Sequence, residues 1–315
     1  MTEANKQPEK KKRWDARTRK RLIFYVIMLT IPVLQNLVFY VGVNLNSILK
    51  AFQKYDVGAN GYEVSFAGFQ NFNAAWTYLK DAEYMIKNSL ILYVVQTTVG
   101  LTLALVFSYY IYKKCFLSGT FKLLLFMPQI VSGLVFCLLF KYFAGATYVS
   151  LIEKLTGKKV LGLLADPDTR FTTVMIYHVF VGFGVKILMF SGAMSGIDES
   201  VVEAAELDGI SFWGEFVHIS VPLIYPTLVS FIVIGIAGAT MDQMSLFSMF
   251  GGGARDIATL GYYLYSSTTG AQLIEQNSLP SYGTLSAVGL IITIVVVPIV
   301  MICKKLLNHF GPSEE

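Results

Sequence analysis

The sequence predicts an all-α integral membrane protein that crosses the bilayer six times. Three observations carry this prediction. The chain of 315 residues is 54% hydrophobic and only 15% charged, with a mean hydropathy of +0.56, a balance too apolar for a soluble domain. Its charges leave six windows free of Asp, Glu, Lys and Arg: between Arg21 and Lys50, Asn88 to Tyr112, Leu123 to Phe140, Phe171 to Val185, Phe216 to Met241, and Gln276 to Cys303. These windows are apolar all round and do not alternate, which suits helices that satisfy their own backbone bonds and argues against a barrel.

A helix needs about 20 apolar residues to cross roughly 30 Å of hydrocarbon. Spans are therefore expected near 22–44, 87–112, 120–143, 171–194, 222–249 and 281–303, the fourth reaching full length only with Lys186 inside it. The first reads as a retained helix bent at Pro32, since it is too long for a cleavable signal and no small-x-small site follows.

Nine basic residues precede it (Lys6, Lys10, Lys11, Lys12, Arg13, Arg17, Arg19, Lys20 and Arg21), which directs the N-terminus to the cytoplasm. Six crossings return the C-terminus there. Lys113, Lys114 and Lys122 between the second and third spans agree, as do Lys304 and Lys305 after the sixth. The expected division is a basic cytoplasmic tail over 1–21, a transmembrane domain over 22–305 and a second cytoplasmic tail over 306–315.

Chemistry-bearing motifs are missing from the sequence. It has no G-x-x-x-x-G-K-[ST] loop, no H-E-x-x-H helix and no G-x-S-x-G elbow, and His178, His218 and His309 are scattered. Cys115, Cys137 and Cys303 lack metal spacing and read as packing residues. No catalytic residue, metal site, cofactor in this chain or nucleic-acid partner is expected. If the protein does energised work, the engine is on another chain.

The loop between the fourth and fifth spans, 196–220, is the anomaly. It carries six carboxylates (Asp198, Glu199, Glu203, Glu206, Asp208 and Glu215) and no Lys or Arg, on the side that the topology makes cytoplasmic. Ser200 with Glu203 three residues on fits a capping box, predicting a short helix from Val201 to about Leu207 that Gly209 ends. A second helix is expected after Ser211, with Phe212, Trp213 and Phe216 as apolar contacts. Composition leaves two readings open, a solvated amphipathic loop or a docking surface.

Spacing separates them. Glu203-Ala204-Ala205, then Asp208-Gly209, then Ile219 and Pro222, resembles the EAA loop of bacterial ABC importer permeases. "AFQKYD" (Ala51 to Asp56), "FAGFQNF" (Phe66 to Phe72), "NSLIL" (Asn88 to Leu92), "FMPQIVSGLVF" (Phe126 to Phe136), "GGGARDIATLGYYLY" (Gly251 to Tyr265) and "SYGTLSA" (Ser281 to Ala287) resemble the carbohydrate-uptake branch in the same order. The basic N-terminal tail and the ending "KKLLNHFGPSEE" look like the larger maltose or glycerol-phosphate permease subunit. One departure is visible: the family's T-G-G-G-P after the fifth helix has Phe250 in place of threonine and Ala254 in place of proline, which removes the proline's stiffening.

The resemblance implies a six-helix permease in a bacterial plasma membrane, paired with a second homologous permease. It also implies two cytoplasmic ATPase subunits that bind ATP and Mg, and an extracytoplasmic sugar-binding protein. Glu203, Ala204, Ala205, Asp208 and Gly209 would form the coupling helix seated in the ATPase.

Polar groups at membrane depth are candidates for the substrate path. His178 and Asp242 should lie at a common depth of about 10–12 Å by helix rise, with Tyr177, Gln243, Gln129 and Ser132 beside them. The competing reading of each is a helix-to-helix hydrogen bond. Lys186 is expected to snorkel to the headgroups, and Trp76, Tyr109, Tyr110 and Tyr142 to form an interface belt. A secondary transporter would show intramembrane charge pairs or inverted repeats, and a membrane enzyme a catalytic cluster.

Overall fold

The computed structural model describes residues 16–58, 61–269 and 281–312. Most of the basic tail, including Lys6 to Arg13, and residues 313–315 lie outside them. Twelve helices and one hairpin follow in order among the described residues: α1 (Arg17–Ala51), β1 (Gln53–Gly58), β2 (Gly61–Phe66), α2 (Gln70–Asp81), α3 (Glu83–Tyr112), α4 (Ser118–Ile130), α5 (Gly133–Thr156), α6 (Pro167–Met194), α7 (Glu199–Leu207), α8 (Phe212–Leu223), α9 (Tyr225–Gly238), α10 (Leu246–Phe250), α11 (Leu260–Thr268) and α12 (Tyr282–Phe310). Five of them, α1, α3, α5, α6 and α12, are long and apolar enough to cross a membrane; counting α8 and α9, bent by 69°, as one span makes six.

The architecture follows from where small and polar residues let helices meet. The α3–α6 pair is closely packed because Ala104 and Ser108 are fully buried on α3 against Ile187 of α6. The Ser108 hydroxyl, bonded to Ala104 O (2.6 Å), also reaches Ile187 O across the interface (3.2 Å). Close backbone approach over small residues is how helices associate when lipid is as apolar as their side chains. Helix α1 contributes little to this core. Its apolar surface is bare, and it packs on α12 through its last turns, Val43–Ala51.

Several expectations change here. The third span is not one helix over 120–143. Val131 (ψ 144°) and Ser132 (ψ 127°) take extended backbone, so α4 stops and α5 starts afresh and runs on to Thr156. The fifth does not run from 222 to 249. Helix α9 ends at Gly238, and irregular backbone precedes α10. The sixth continues past 303 to Phe310, where the Tyr225 hydroxyl donates to Leu307 O at 2.8 Å. Helix α1 runs unbroken through Pro32 and widens into a π turn over Asn36–Gly42, the kind of local adjustment that lets spanning helices accommodate proline. The all-α expectation also missed the antiparallel pairing of β1 with β2, Gln53 opposite Phe66.

The loop after α10 is stiff despite lacking the family's proline. Arg170 places Nη1 2.9 Å from both Asp256 oxygens, donates from Nη2 to Gly253 O (3.1 Å) and lies 4.2 Å over the Phe250 ring. Buried Ala254 donates its N–H to the Tyr262 hydroxyl, which itself donates to Gly251 O at 2.7 Å. Side chains from α6 and α11 thus hold what proline would otherwise hold.

Candidate functional site

Two places collect the functional candidates: a polar cavity between helices, and the α7–α8 projection. The cavity, about 350 Å³, opens between α3, α6 and α9. Its polar lining is Tyr93, Gln96 and Thr97 from α3, His178 and Lys186 from α6, and Asp242 just past α9. His178, Gly182 and Lys186 are four residues apart and therefore share a helix face. Gly182 leaves room for Gln96, whose Nε2 would lie 2.6 Å from a Cβ there and would have to move aside. A larger hollow of about 610 Å³ between α2, α3 and α12 is lined mostly by apolar groups such as Trp76, Leu79, Ile291 and Val295, with Lys80, Glu83 and Thr240 the polar residues on its wall.

Asp242 is held differently from the sequence expectation. It lies on the non-helical stretch between α9 and α10, not within a helix, so its depth does not follow from helix rise. Its Oδ2 is 3.1 Å from His178 Nε2 and its Oδ1 accepts from Met244 N at 2.8 Å. The hydroxyl of fully buried Thr259 donates to its backbone O at 2.8 Å.

Met244 (φ 51°) and Ser245 (φ 57°) are consecutive left-handed residues, a conformation costing on the order of 1–3 kcal/mol each that persists where surroundings impose it, often at functional sites. Gly261 lets α11 press against this stretch: a Cβ there would lie 2.3 Å from the Met241 carbonyl and 2.7 Å from Asp242 N. Irregular backbone at membrane depth is tolerated only where protein buries it or it lines a cavity, and both conditions hold here.

The structure brings His178 and Asp242 together but disperses the other candidates. Gln129 donates to Val181 O at 2.6 Å, joining α4 to α6. Tyr177 faces away from the cavity, buried against Phe136 and Phe140. Ser132 is exposed at the α4–α5 break. Gln243 stays beside Asp242 with a buried Oε1 that has no hydrogen-bond partner among the described residues.

Sequence reasoning missed Gln96 and Thr97, which are ordinary polar residues inside an apolar run. It also gave Lys186 to the headgroups, whereas the side chain lines the cavity. Tyr109 is not an interface residue. It is fully buried, donates to Phe212 O at 3.0 Å and packs on the Phe212 and Phe216 rings.

The second place is the α7–α8 projection. The α7 cap lies upstream of the expected Ser200, because Asp198 Oδ1 accepts both the Ser200 N–H (3.0 Å) and its hydroxyl (2.8 Å). Asp caps about as well as Ser and adds a favourable negative charge at the helix N-terminus. These bonds hold the Asp198 carboxyl below the ordinary carboxylate range, so the cap is complete at neutral pH and is lost as pH falls through that lowered value.

At the other end Gly209 (φ 75°) closes a Schellman turn, with Gly209 N donating to Glu206 O and Ile210 N to Ala205 O, both at 3.1 Å. Ser211 caps α8 by accepting from Gly214 N at 3.1 Å.

Part of the acid is neutralised internally. Lys113, at the end of α3, lies 2.9 Å from Glu215 and 3.1 Å from Glu206. Burial lowers the Lys113 pKa, but the bonds to Glu215 and Glu206 outweigh it and hold the ammonium above its usual range. Glu203 and Asp208 remain exposed, as do Ala204, Leu207 (90%), Val201 and Trp213. The outer face of α7 therefore mixes exposed carboxylates with apolar groups that nothing among the described residues covers.

The family model described as "Binding-protein-dependent transport system inner membrane component" matches residues 84–312. The chain is 25% identical over 245 residues to the lactose transport system permease protein LacF of Rhizobium radiobacter, covering 75% of this chain and 79% of that one. It is 27% identical over 293 residues to the arabinooligosaccharides transport system permease protein AraP of Bacillus subtilis, covering 88% and 86%. Its fold matches a chain in the crystal structure of a bacterial ABC transporter involved in the import of the acidic polysaccharide alginate, with a TM-score of 0.71 and 16% identity over 93% of this chain and 98% of that one.

Proposed function

The chain belongs to the family of binding-protein-dependent transport system inner membrane components, and from that membership we propose that it forms half of the path of an ATP-driven saccharide importer. The observation that carries the reading is the cavity beside the α9–α10 break, where a carboxylate, an imidazole, an amide and hydroxyls converge between apolar helices. Such groups bond sugar hydroxyls, and an orphaned acceptor, Gln96 Oε1, stands among them. The lactose and arabinooligosaccharide systems of the relatives support the substrate class.

A second permease completes the path, a sugar-binding protein loads it from outside, and two ATPase subunits carrying ATP and Mg drive it from the cytoplasm, where both termini lie. Helix α7 seats in the ATPase, with Glu203 and Asp208 facing basic groups, Ala204 and Ala205 at the close contact and Gly209 setting the turn. Closure of the ATPase pair around ATP moves α7 as a rigid body. Two connections carry that movement to the cavity. One runs through Lys113 and Tyr109 into α3, which bears Gln96; the other runs through α8 and its 69° bend into α9, which ends at Gly238, four residues before Asp242.

Glu203→Lys tests the coupling in proteoliposomes holding the full complex. It is expected to reduce uptake and substrate-stimulated ATP hydrolysis at least tenfold, about 1.4 kcal/mol of coupling, with the variant chain still inserted in the membrane. Unchanged uptake would remove α7 from the coupling path.

A further inference from the structure

Lys186 brings to the cavity an ammonium that forms no ion pair among the described residues. It lies on α6, two turns from His178 on the same face, and lines the cavity. Both oxygens of the nearby carboxylate are engaged: Asp242 Oδ2 with His178 and Oδ1 with Met244 N. Among the described residues no carboxylate lies within 4.0 Å of the Lys186 ammonium. The other polar groups facing the cavity, from Tyr93, Gln96 and Thr97, are uncharged hydroxyls and an amide. A cation at membrane depth is costly unless it meets an anion or water, and in transporters such a residue marks the substrate path.

We propose that Lys186 receives an anionic group, carboxylate or phosphate, on the transported saccharide, so that the substrate class is acidic sugars. This rests on the saccharide-importer reading. The ammonium is a compact point charge with three donors, suited to either anion without demanding planar geometry. Gln96, with its unpartnered Oε1, supplies an acceptor for a neighbouring sugar hydroxyl. The Asp242–His178 pair lines the same cavity, with His178 on the α6 face of Lys186 and Asp242 just past α9, and offers polar atoms to a neighbouring sugar hydroxyl.

The test compares uptake of a digalacturonide, a disaccharide phosphate and maltose by proteoliposomes containing the complete complex, each delivered by a binding protein that accepts it. Unaltered protein is expected to take up one acidic probe in preference to maltose, and which one identifies the anion. Lys186→Met should cut uptake of that probe by roughly 30-fold or more, the scale for removing one partner of a buried charge pair, while Lys186→Arg retains part of it. Lys186→Met that folds and assembles, judged by co-purification of the ATPase, yet keeps acidic uptake would overturn the proposal, as would preferential uptake of maltose. In those outcomes the importer reading stands. ATP-independent transport, or none of any saccharide, overturns that reading instead.

Discussion

Lys113→Met is expected to uncouple the α7–α8 projection from the helix bundle. The substitution leaves Glu215, whose side chain is 3% exposed, as a charge without its cation. Removing one member of a buried ion pair costs about 3–5 kcal/mol, and the part-exposed lysine (21%) puts this case at the low end, about 3 kcal/mol. Glu206 contributes little of this, being 58% exposed.

Because Tyr109 still bonds Phe212 O, α8 should remain formed but lose its fixed angle to α3. The expected readouts are a lowered apparent melting temperature of the purified complex and ATP hydrolysis that no longer responds to loaded binding protein. Adding Glu215→Gln removes the stranded charge and should restore most of the melting temperature. A single variant with the stability and stimulation of the unaltered protein would show that the pair does not hold the projection.

Gly261→Ala is the second large effect, and it acts at the cavity. The new methyl would sit 2.3 Å from the Met241 carbonyl, closer than any carbon contact allows, so α11 and the α9–α10 break must separate. Overpacking of this kind costs about 1–3 kcal/mol. The displacement also breaks the 2.8 Å Thr259 to Asp242 bond and with it the registry of Asp242 on His178. A shift of about 1 Å in a positioning group is worth around 100-fold in rate. Uptake should fall by about that factor while ATPase subunits still co-purify. Gly289→Ala on α12, where nothing lies within 4 Å of the added carbon, serves as the neutral control.

The sequence conveyed the bundle because lipid enforces it: charge-free windows located α3 and α6 to within four residues at each end, and located α1 and α12 though both run seven residues beyond the expected C-terminal ends. It conveyed α7 because caps and glycine turns are local chemistry, though Asp198 displaced Ser200 as the cap. It failed where tertiary contacts override hydropathy. Phe216 to Met241 is an unbroken apolar run, yet α8 and α9 bend by 69° and α9 stops at Gly238, held there by Thr259 and Gly261 from a distant segment. The left-handed Met244 and Ser245 leave no trace in composition.

The hairpin did leave a signal that was passed over: Tyr55 to Val57 and Tyr62 to Val64 alternate on either side of a short Gly- and Asn-containing stretch. In the cavity, His178 and Asp242 were legible because charge in an apolar run stands out. Gln96 was not, and Tyr177 and Gln129 satisfied neighbouring helices instead.

The central claim is that substrate is held at the Asp242 break and moved by an ATPase on another chain. The direct measurement is ATP-dependent saccharide uptake by the reconstituted complex carrying Asp242→Ala, followed alongside co-purification of the ATPase. The account predicts an intact assembly in which uptake has fallen by about 10-fold or more, the scale for losing a hydrogen bond to a charged group. Uptake at the level of the unaltered complex, from an equally intact assembly, would contradict it.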